Sequence, residues 1–362
     1  MGASTAISWS DSTWTPLRAR VKQDAAAIAE QKGYGSLVQI AKDMAGRVGP
    51  HCEKASAGCQ NCYSETNNAR CLPRNGTGLP FDRRSRDLVD IHLDEKILLQ
   101  PLRWKKGRRI FVCSQTDLFG EFVPDELIDR VFAVMALCPQ HTFQVLTKRA
   151  DRMAAYLAER WIVPGSVCEW DGALAQVHKS IVAMLPTLPA RLLNAISSRL
   201  DAKYPDSEGE GFLPRWPLPN VWLGVSVEDQ RRADERIPHL LRTPAGVRFL
   251  SCEPLLEDLR LWKLASLDYH QNTIGYETYP LSGMQAMPDC DWPHPKIDWV
   301  IVGAESGPGA RPCSEDWIRS LRDQCQTAGT AFFYKQWAAN GRRVDTPELD
   351  GKRWVEFPEV AR

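Results

Sequence analysis

The chain has 362 residues, which at about 150 residues per domain allows two domains or one large α/β unit. With 43% hydrophobic and 25% charged residues, 24 Gly and 25 Pro, it has an ordinary globular composition, so disordered, fibrous and low-complexity classes are excluded. Basic and acidic residues balance at 45 each, so no whole-molecule field steers the protein to nucleic acid, although residues 1–110 hold 18 Lys/Arg against 11 Asp/Glu.

No apolar run approaches the about 18 residues that span a bilayer. The first ten residues lack the basic start and apolar core of a signal peptide. A cytoplasmic protein without a membrane partner is expected. Short runs rich in β-branched and aromatic residues then recur along the chain. They lie at residues 6–9 (the weakest), 110–113, 142–146, 221–225, 247–250, 299–302 and 331–334. Each ends in polar residues, and helical spacing follows several of them. Helices are expected over 124–137, where Asp125 and Glu126 suit the positive end of the dipole, over 228–241, and over 314–328 with Ser314 as N-cap. Strand–helix alternation implies parallel strands joined by right-handed crossovers. The expected fold is α/β, a full or partial (β/α) TIM-type barrel with parallel strands, forming one domain over 1–362. Helical and irregular insertions are expected at 20–47, 159–218 and 262–297, and a C-terminal extension at 338–362. A doubly wound open sheet gives similar local signals.

The 11 cysteines do not read as a disulfide framework in a reducing compartment. Cys113, Cys138, Cys252 and Cys325 lie in apolar or helical patterns and read as small buried hydrophobes. Cys52, Cys59 and Cys62 differ, because they sit in a loop of small and polar residues with the spacing C-x6-C-x2-C. Two thiolates separated by two residues can chelate one centre, and a third makes a tripod. Three protein ligands leave a position open, as catalytic centres require, and on a four-iron cluster the open iron can bind a small molecule. Zinc is the alternative, with Cys71 as fourth ligand or, less easily, His51. Unligated thiols are the remaining reading.

Further candidates follow the expected strands, at the end where a barrel places its chemistry. Thr116 and Asp117 suit a ribose hydrogen bond, acid–base work or a helix cap. Lys148 and Arg149 suit an anion. Ser226 and Glu228 suit a ribose or an amine, although Glu228 also favours a helix start. Glu253, before Pro254, is aimed by Phe249-Leu250 at the barrel top. Residues 303–312 hold Gly303, Glu305, Gly307, Gly309 and Arg311, where backbone N–H groups can approach an anion or a planar ring. They match neither a Walker loop nor a dinucleotide fingerprint. Lys335 and Gln336 offer donors, and Trp337 either stacks on a ring or caps the core. Two basic clusters, Arg83-Arg84-Ser85-Arg86 and residues 103–109 around Trp104, suit phosphate contacts.

Three clustered cysteines in the loop after the first strand of a (β/α) barrel resemble the radical S-adenosylmethionine superfamily. More narrowly, Trp9, Trp14-Thr15-Pro16, Gly58-Cys59-Gln60-Asn61-Cys62-Tyr63, Gln115-Thr116-Asp117-Leu118-Phe119, Val145-Leu146-Thr147-Lys148-Arg149, Gly224-Val225-Ser226-Val227-Glu228 and Gly303-Ala304-Glu305-Ser306-Gly307 resemble an uncharacterised phage and bacterial three-cysteine protein family. This likeness reaches from residue 6 to about 337 with the three insertions outside it. The superfamily resemblance implies a [4Fe-4S] cluster on Cys52, Cys59 and Cys62, S-adenosylmethionine on the open iron, an electron donor, and a 5′-deoxyadenosyl radical. The cofactor contacts expected with it are Thr116, Asp117, Ser226, Glu228, Glu253, Gly303, Glu305 and Lys335, and no catalytic residue is assigned. The pattern departs from the commonest superfamily loop: the first gap is six rather than three, and no Gly-Gly-Glu follows Cys113. The basic N-terminal third and the phage-like resemblance point to a nucleic-acid or nucleotide substrate. Two alternatives come from other classes: a zinc-stabilised nucleic-acid-binding module without redox chemistry, and a barrel hydrolase or lyase with structural cysteines.

Overall fold

The computed structural model describes residues 5, 7–70, 76–159, 179–203, 217–264, 277–287, 290–293, 295–307, 309–339 and 342–359. They belong to two compact units, one of residues 1–4, 12–141 and 174–214, the other of residues 5–11, 142–173 and 215–362.

In the first unit the strands are β1 (Ser12–Trp14), β2 (Leu17–Val21), β3 (Val48–Gly49), β4 (Val89–Leu93) and β5 (Arg109–Val112). β1 runs parallel to β5, with Trp14 opposite Val112. β2 is the centre of an antiparallel sheet between β3 and β4. Leu17, Ala19 and Val21 are buried along it while Arg20 is exposed, the period-two pattern of a one-sided sheet. Helices Ala25–Gln31 and Gly35–Met44 occupy the expected insertion at 20–47. Ala25, Ala29, Leu37 and Ala41 pack with Ala19, Val21, Leu79, Leu88 and Val89 in one apolar cluster. Alanines supply much of that contact, so the backbones approach closely with little side-chain entropy lost. Helix Ala190–Lys203, from the insertion at 159–218, also belongs to this unit, where Arg199 donates to the Leu102 carbonyl at 3.1 Å. Residues 160–178 and 204–216 of that insertion lie outside the described residues.

The second unit carries β6 (Thr142–Thr147), β7 (Val221–Ser226), β8 (Val247–Cys252), β9 (Glu277–Tyr279), β10 (Met284–Met287), β11 (Cys290–Pro293), β12 (Trp299–Gly303), β13 (Ala331–Ala339) and β14 (Arg342–Asp345). Its main sheet has the order β6-β7-β8-β12-β13-β14, parallel up to β13 and antiparallel at β14. Every residue of β7 and β12 is buried, as a sheet packed on both faces demands. The parallel strands follow one another without reversal. Right-handed crossovers then place the connecting helices on one face, whereas a doubly wound sheet would reverse its order. Helix Gln230–Arg242 packs on β7 and against helix Ala150–Glu159, and helix Glu315–Ala328 packs on β12 and β13. Trp299 centres the core, with the rings of Trp9, Trp222, Phe249, Phe333 and Phe357 between 5.1 and 6.1 Å away. The segment at 262–297 contributes a small antiparallel sheet of order β11-β10-β9. The C-terminal segment from 338 continues β13 and turns back as β14.

Two expectations need correction. The main sheet is open, ending at the antiparallel edge strand β14, so the fully closed barrel is not formed. What stands is an α/β fold with a mostly parallel, helix-flanked sheet, compatible with a partial barrel. The first described strand is Ser12–Trp14, and residues 7–9 of the expected strand at 6–9 do not form one, residue 6 lying outside the described residues. There the Thr5 hydroxyl accepts the Ile7 N–H and Ser10 N–H closes a turn onto Ile7, local bonds that compete with a strand ladder. Trp9 instead enters the aromatic core, 1% exposed. Among the described residues no helix is long and apolar enough to cross a membrane.

Candidate functional site

The cysteine loop belongs to the first unit. Ala57–Cys59 forms one 3-10 turn, and Cys62 is the N-cap of helix Tyr63–Ala69. All three cysteines are half-buried. The Cys59 sulfur accepts the Ala55 N–H at 3.5 Å, the type of contact that tunes sulfur ligands of iron. Other cysteines are placed differently. Burial pushes the thiols of Cys113, Cys138, Cys252 and Cys325 well above their ordinary range and that of Cys313 up to about 12, which makes them poor thiolate donors.

The segment after β5 grips the loop at both ends. The Thr116 hydroxyl donates to the His51 carbonyl, the Tyr63 hydroxyl donates to the Ser114 carbonyl, and Ser64 Oγ donates to the Gln115 carbonyl at 2.7 Å. The segment turns immediately after β5 because Cys113 adopts φ 54°, a left-handed conformation uncommon outside glycine. Thr116 therefore holds the loop. Asp117 is buried, and its Oδ1 accepts the Phe119 N–H at 3.1 Å, the turn-capping role.

Cys52 is fixed by its neighbours. Glu53 is 5% exposed and receives a bidentate fork from Arg86, at 2.6 and 2.7 Å. Burial works to raise the Glu53 pKa, but His51 and Arg86 overcome it and hold the carboxyl at about 2. The His51 ring is buried edge-on against Phe81 and Phe122, with Nε2 3.8 Å from Glu53 Oε1. Among the described residues no three His, Cys, Asp or Glu side chains converge as a ready metal site. The donor set matches an iron–sulfur centre in kind: three partly exposed cysteines on one loop. Cys71 lies outside the described residues.

The basic clusters are mostly engaged. Arg86 is held by Glu53, Arg84 by Asp82 at 2.7 Å, and Arg108 lies 4.7 Å over the Trp104 ring. Arg83, with a side chain 81% exposed, reaches Glu121 at 3.7 Å. Lys105 and Lys106 are exposed just before β5.

In the second unit the remaining candidates stand at the carboxyl ends of β6, β7, β8, β12 and β13, and each carboxylate has a cation. Glu228 is fully buried and paired with Arg236 at 2.9 Å, and Arg236 also donates to the Ser226 carbonyl. Lys148 Nζ donates to Ser226 Oγ at 3.2 Å. Glu305 receives the Arg311 guanidinium on both oxygens, at 2.9 and 2.6 Å, and the Arg311 N–H as well. Glu253 pairs with Lys335 at 2.8 Å and accepts Ser251 Oγ at 3.2 Å. A Cβ on Gly303 would stand 2.8 Å from Glu253 Oε1, so the glycine makes the seat for that carboxylate. The β12–β13 register slips between Val302 and Gly303, leaving Lys335 as the extra residue of a bulge. Gln336, across from Gly303, donates to the Ala304 carbonyl at 2.7 Å, and Trp337 is half-buried in the hairpin to β14. Sequence reasoning missed the roles of Glu53, Ser64, Arg236 and Ser251. For Arg236 the signal was available, because it lies on the buried face of an amphipathic helix where an unpaired cation is costly.

No curated protein and no solved structure matches this chain. The family model described as a protein of unknown function, DUF5131, matches residues 47–358, and the chain belongs to that family.

Proposed function

We propose that this protein is an iron–sulfur enzyme of the radical S-adenosylmethionine type, with Cys52, Cys59 and Cys62 as the cluster ligands and S-adenosylmethionine as cofactor. The observation that carries the reading is the cysteine loop: three half-buried cysteines in a C-x6-C-x2-C spacing, gripped at both ends by Ser114, Gln115 and Thr116 beyond a parallel strand. When bound, the cluster would pass an electron from an external donor and cleave S-adenosylmethionine to a 5′-deoxyadenosyl radical. The chain's own residues position that chemistry. Thr116, Tyr63 and Ser64 fix the two arms of the loop, while Asp117 rigidifies the turn beyond it. In the second unit, Glu253, Lys335, Ser226 and Gly303 offer polar groups at the strand ends. Glu228 and Glu305 act through their arginines, since a ligand amine would have to displace a bidentate or fully buried partner. A nucleotide or nucleic-acid substrate is the reading favoured by exposed Arg83, whereas Lys105 and Lys106 stand before β5, at the end away from the residues that grip the cysteine loop.

The test is anaerobic reconstitution followed by iron and sulfide analysis and an assay for 5′-deoxyadenosine after reduction. About four irons per chain, absorbance bleached by dithionite, and 5′-deoxyadenosine formation support the proposal. One tightly held zinc with no 5′-deoxyadenosine would reject it in favour of a zinc-stabilised binding module.

A further inference from the structure

A cavity of about 690 Å³ opens in the first unit, inside the size range of ligand sites. Three pieces of chain wall it. Leu37 and Ile40 come from helix Gly35–Met44, Ala69 and Arg70 from the end of helix Tyr63–Ala69, and Pro80 and Arg84 from the chain that follows. Leu37, Ile40, Ala69 and Pro80 give the cavity an apolar lining. The wall around Pro80 is firmly held. Asn68, fully buried, donates to Thr77 Oγ1 at 3.0 Å and to the Leu79 carbonyl at 2.8 Å, and accepts the Thr77 N–H at 2.7 Å. Glu65, which also lines the cavity, accepts the Phe81 N–H at 3.0 Å and pairs with Lys54 at 2.9 Å. The cavity is thus preformed, and little ordering remains to oppose binding.

The rim of this cavity is basic. Arg70 is exposed, and its guanidinium has no ion-pair partner among the described residues. The Arg84 side chain is 49% exposed, so its 2.7 Å pair with Asp82 stands in water. Such a pair is weak and can be shared with an anion. Exposed Arg83 adjoins Arg84 on the short helix Arg83–Asp87. In the wall, the Glu65 carboxylate keeps acceptor lone pairs beyond those given to Lys54 and Phe81. An accepting oxygen suits the N–H edge of a base better than the carboxylates of an acidic peptide. We propose that the cavity receives one base of a single-stranded nucleic acid, with Arg70 and Arg84 on the flanking phosphates. The apolar lining takes the face of the base, and the rim follows the backbone, the division of labour that single-strand grooves use. The inference rests on the nucleic-acid reading of the substrate and not on the iron–sulfur centre. Cys62 caps the start of helix Tyr63–Ala69 and Arg70 its end, so about 12 Å of helix separates the site from the cysteine loop.

The experiment is fluorescence anisotropy of the full-length protein with a labelled single-stranded DNA of about ten nucleotides, a length such grooves cover, at several salt concentrations. Adenosine monophosphate and a polyglutamate peptide serve as competitors. Arg70→Gln should weaken binding about tenfold and lower the salt slope by about 0.7. Ala69→Glu puts a carboxylate into the lining and should weaken binding further. Lys106→Gln, outside the cavity, should bind like the wild type. All three positions are exposed, so folding should be unaffected, and urea unfolding checks it. That pattern supports the inference. DNA binding indifferent to Arg70→Gln and Ala69→Glu, or weakened as much by Lys106→Gln, puts the strand elsewhere; it overturns the inference and leaves the nucleic-acid reading intact. Adenosine monophosphate bound as tightly as the DNA would make the occupant a free nucleotide, and displacement by polyglutamate would make it an acidic peptide. Either result overturns the inference too. A wild-type protein that binds no DNA overturns both the inference and the nucleic-acid reading, while the iron and 5′-deoxyadenosine tests stand apart from it.

Discussion

The cysteine loop of the first unit and the strand ends of the second are built on opposite principles. At the strand ends every carboxylate of interest arrives with its counter-charge: Arg236 for Glu228, Arg311 for Glu305, Lys335 for Glu253. Those groups are organised by the chain itself. In the loop the backbone is fastened by hydrogen bonds at Thr116, Tyr63 and Ser64, not by ion pairs of the kind that organise the strand ends, and the three cysteines stand half-buried on it. The difference teaches where each region obtains its order. Ion pairs complete the strand ends during folding, whereas the loop has a fixed frame and donors suited to something added.

The sharpest break of that contrast is to remove a thiol. Cys52→Ala, Cys59→Ala or Cys62→Ala should each abolish nearly all iron uptake, because two thiolates are too few to hold a site-differentiated cube. Cys71→Ala should leave iron content close to wild type. Iron analysis of the four purified variants decides it, and a Cys71→Ala protein as empty as Cys59→Ala would make the site a four-cysteine one.

At the strand ends the matching break is Arg236→Met. Glu228 has no exposed surface, so losing its cation leaves a bare buried charge, with an expected cost of about 3–5 kcal/mol. Arg311→Met should cost less, because Arg311 keeps 23% side-chain exposure and water can reach the site. Urea denaturation of the two variants beside the wild type measures the order. Equal losses would mean that burial does not set the energetics here.

Acid should separate the two units by a smaller amount. His141, in the first unit, is 1% exposed with Nε2 3.1 Å from the Pro101 carbonyl. Burial pushes its imidazole down to about 4 against that hydrogen bond, with Arg199 and Arg108 adding to the fall. The folded pKa lies below the unfolded value near 6.5, so the unfolded chain takes the proton first. The neutral ring's contribution is complete above about pH 6.5 and is lost as pH falls to about 4, on the order of 2 kcal/mol in all. His239 in the second unit shifts the same way but is only half-buried. Hydrogen exchange at pH 7 and pH 5 should show the first unit loosening more, and His141→Gln should flatten the difference. Equal loosening in both units would discard the assignment.

What could be read from the sequence follows from the range of the forces involved. The strands at 110, 142, 221, 247, 299 and 331 announce themselves because apolar β-branched runs are local. The helix beginning after Ser314 does too, since its cap, Ser314 Oγ accepting the Asp316 N–H at 3.2 Å, lies within two residues. β2 and β4 were not legible: they are short, alternate with arginine, aspartate and histidine, and pair across about seventy residues. The site divides in the same way. The thiol spacing is local and visible. Arg86 and Glu53 meet across 33 residues, and Ser64 reaches Gln115 across 51, which no window of sequence encodes. Thr116 and Asp117 were found as positions, but their partners, which decide between binding a ligand and holding a turn, came only with the tertiary structure.

The smallest expected effect tests the frame of the loop rather than its donors. Tyr63 keeps 54% of its surface exposed, so its ring contributes little burial, and its hydroxyl donates to the Ser114 carbonyl. Tyr63→Phe removes that bond and leaves an accepting carbonyl that water can satisfy, so the stability loss should stay near 1 kcal/mol. Iron uptake should respond differently from stability. Tyr63 directly follows Cys62, and loosening it widens the range of positions the Cys62 thiol visits before any centre is bound. The variant should load iron more slowly, and lose it to a chelator severalfold faster, at almost unchanged unfolding free energy. Ser64→Ala, which cuts the neighbouring bond to Gln115, should add to the effect, because the two anchors hold the same turn. Chelator-release rates measured beside urea unfolding separate the two quantities. Unchanged release in the double variant would show that the frame beyond β5 does not position the third thiol, and the contrast between charge-paired strand ends and a framed cysteine loop would have to be abandoned.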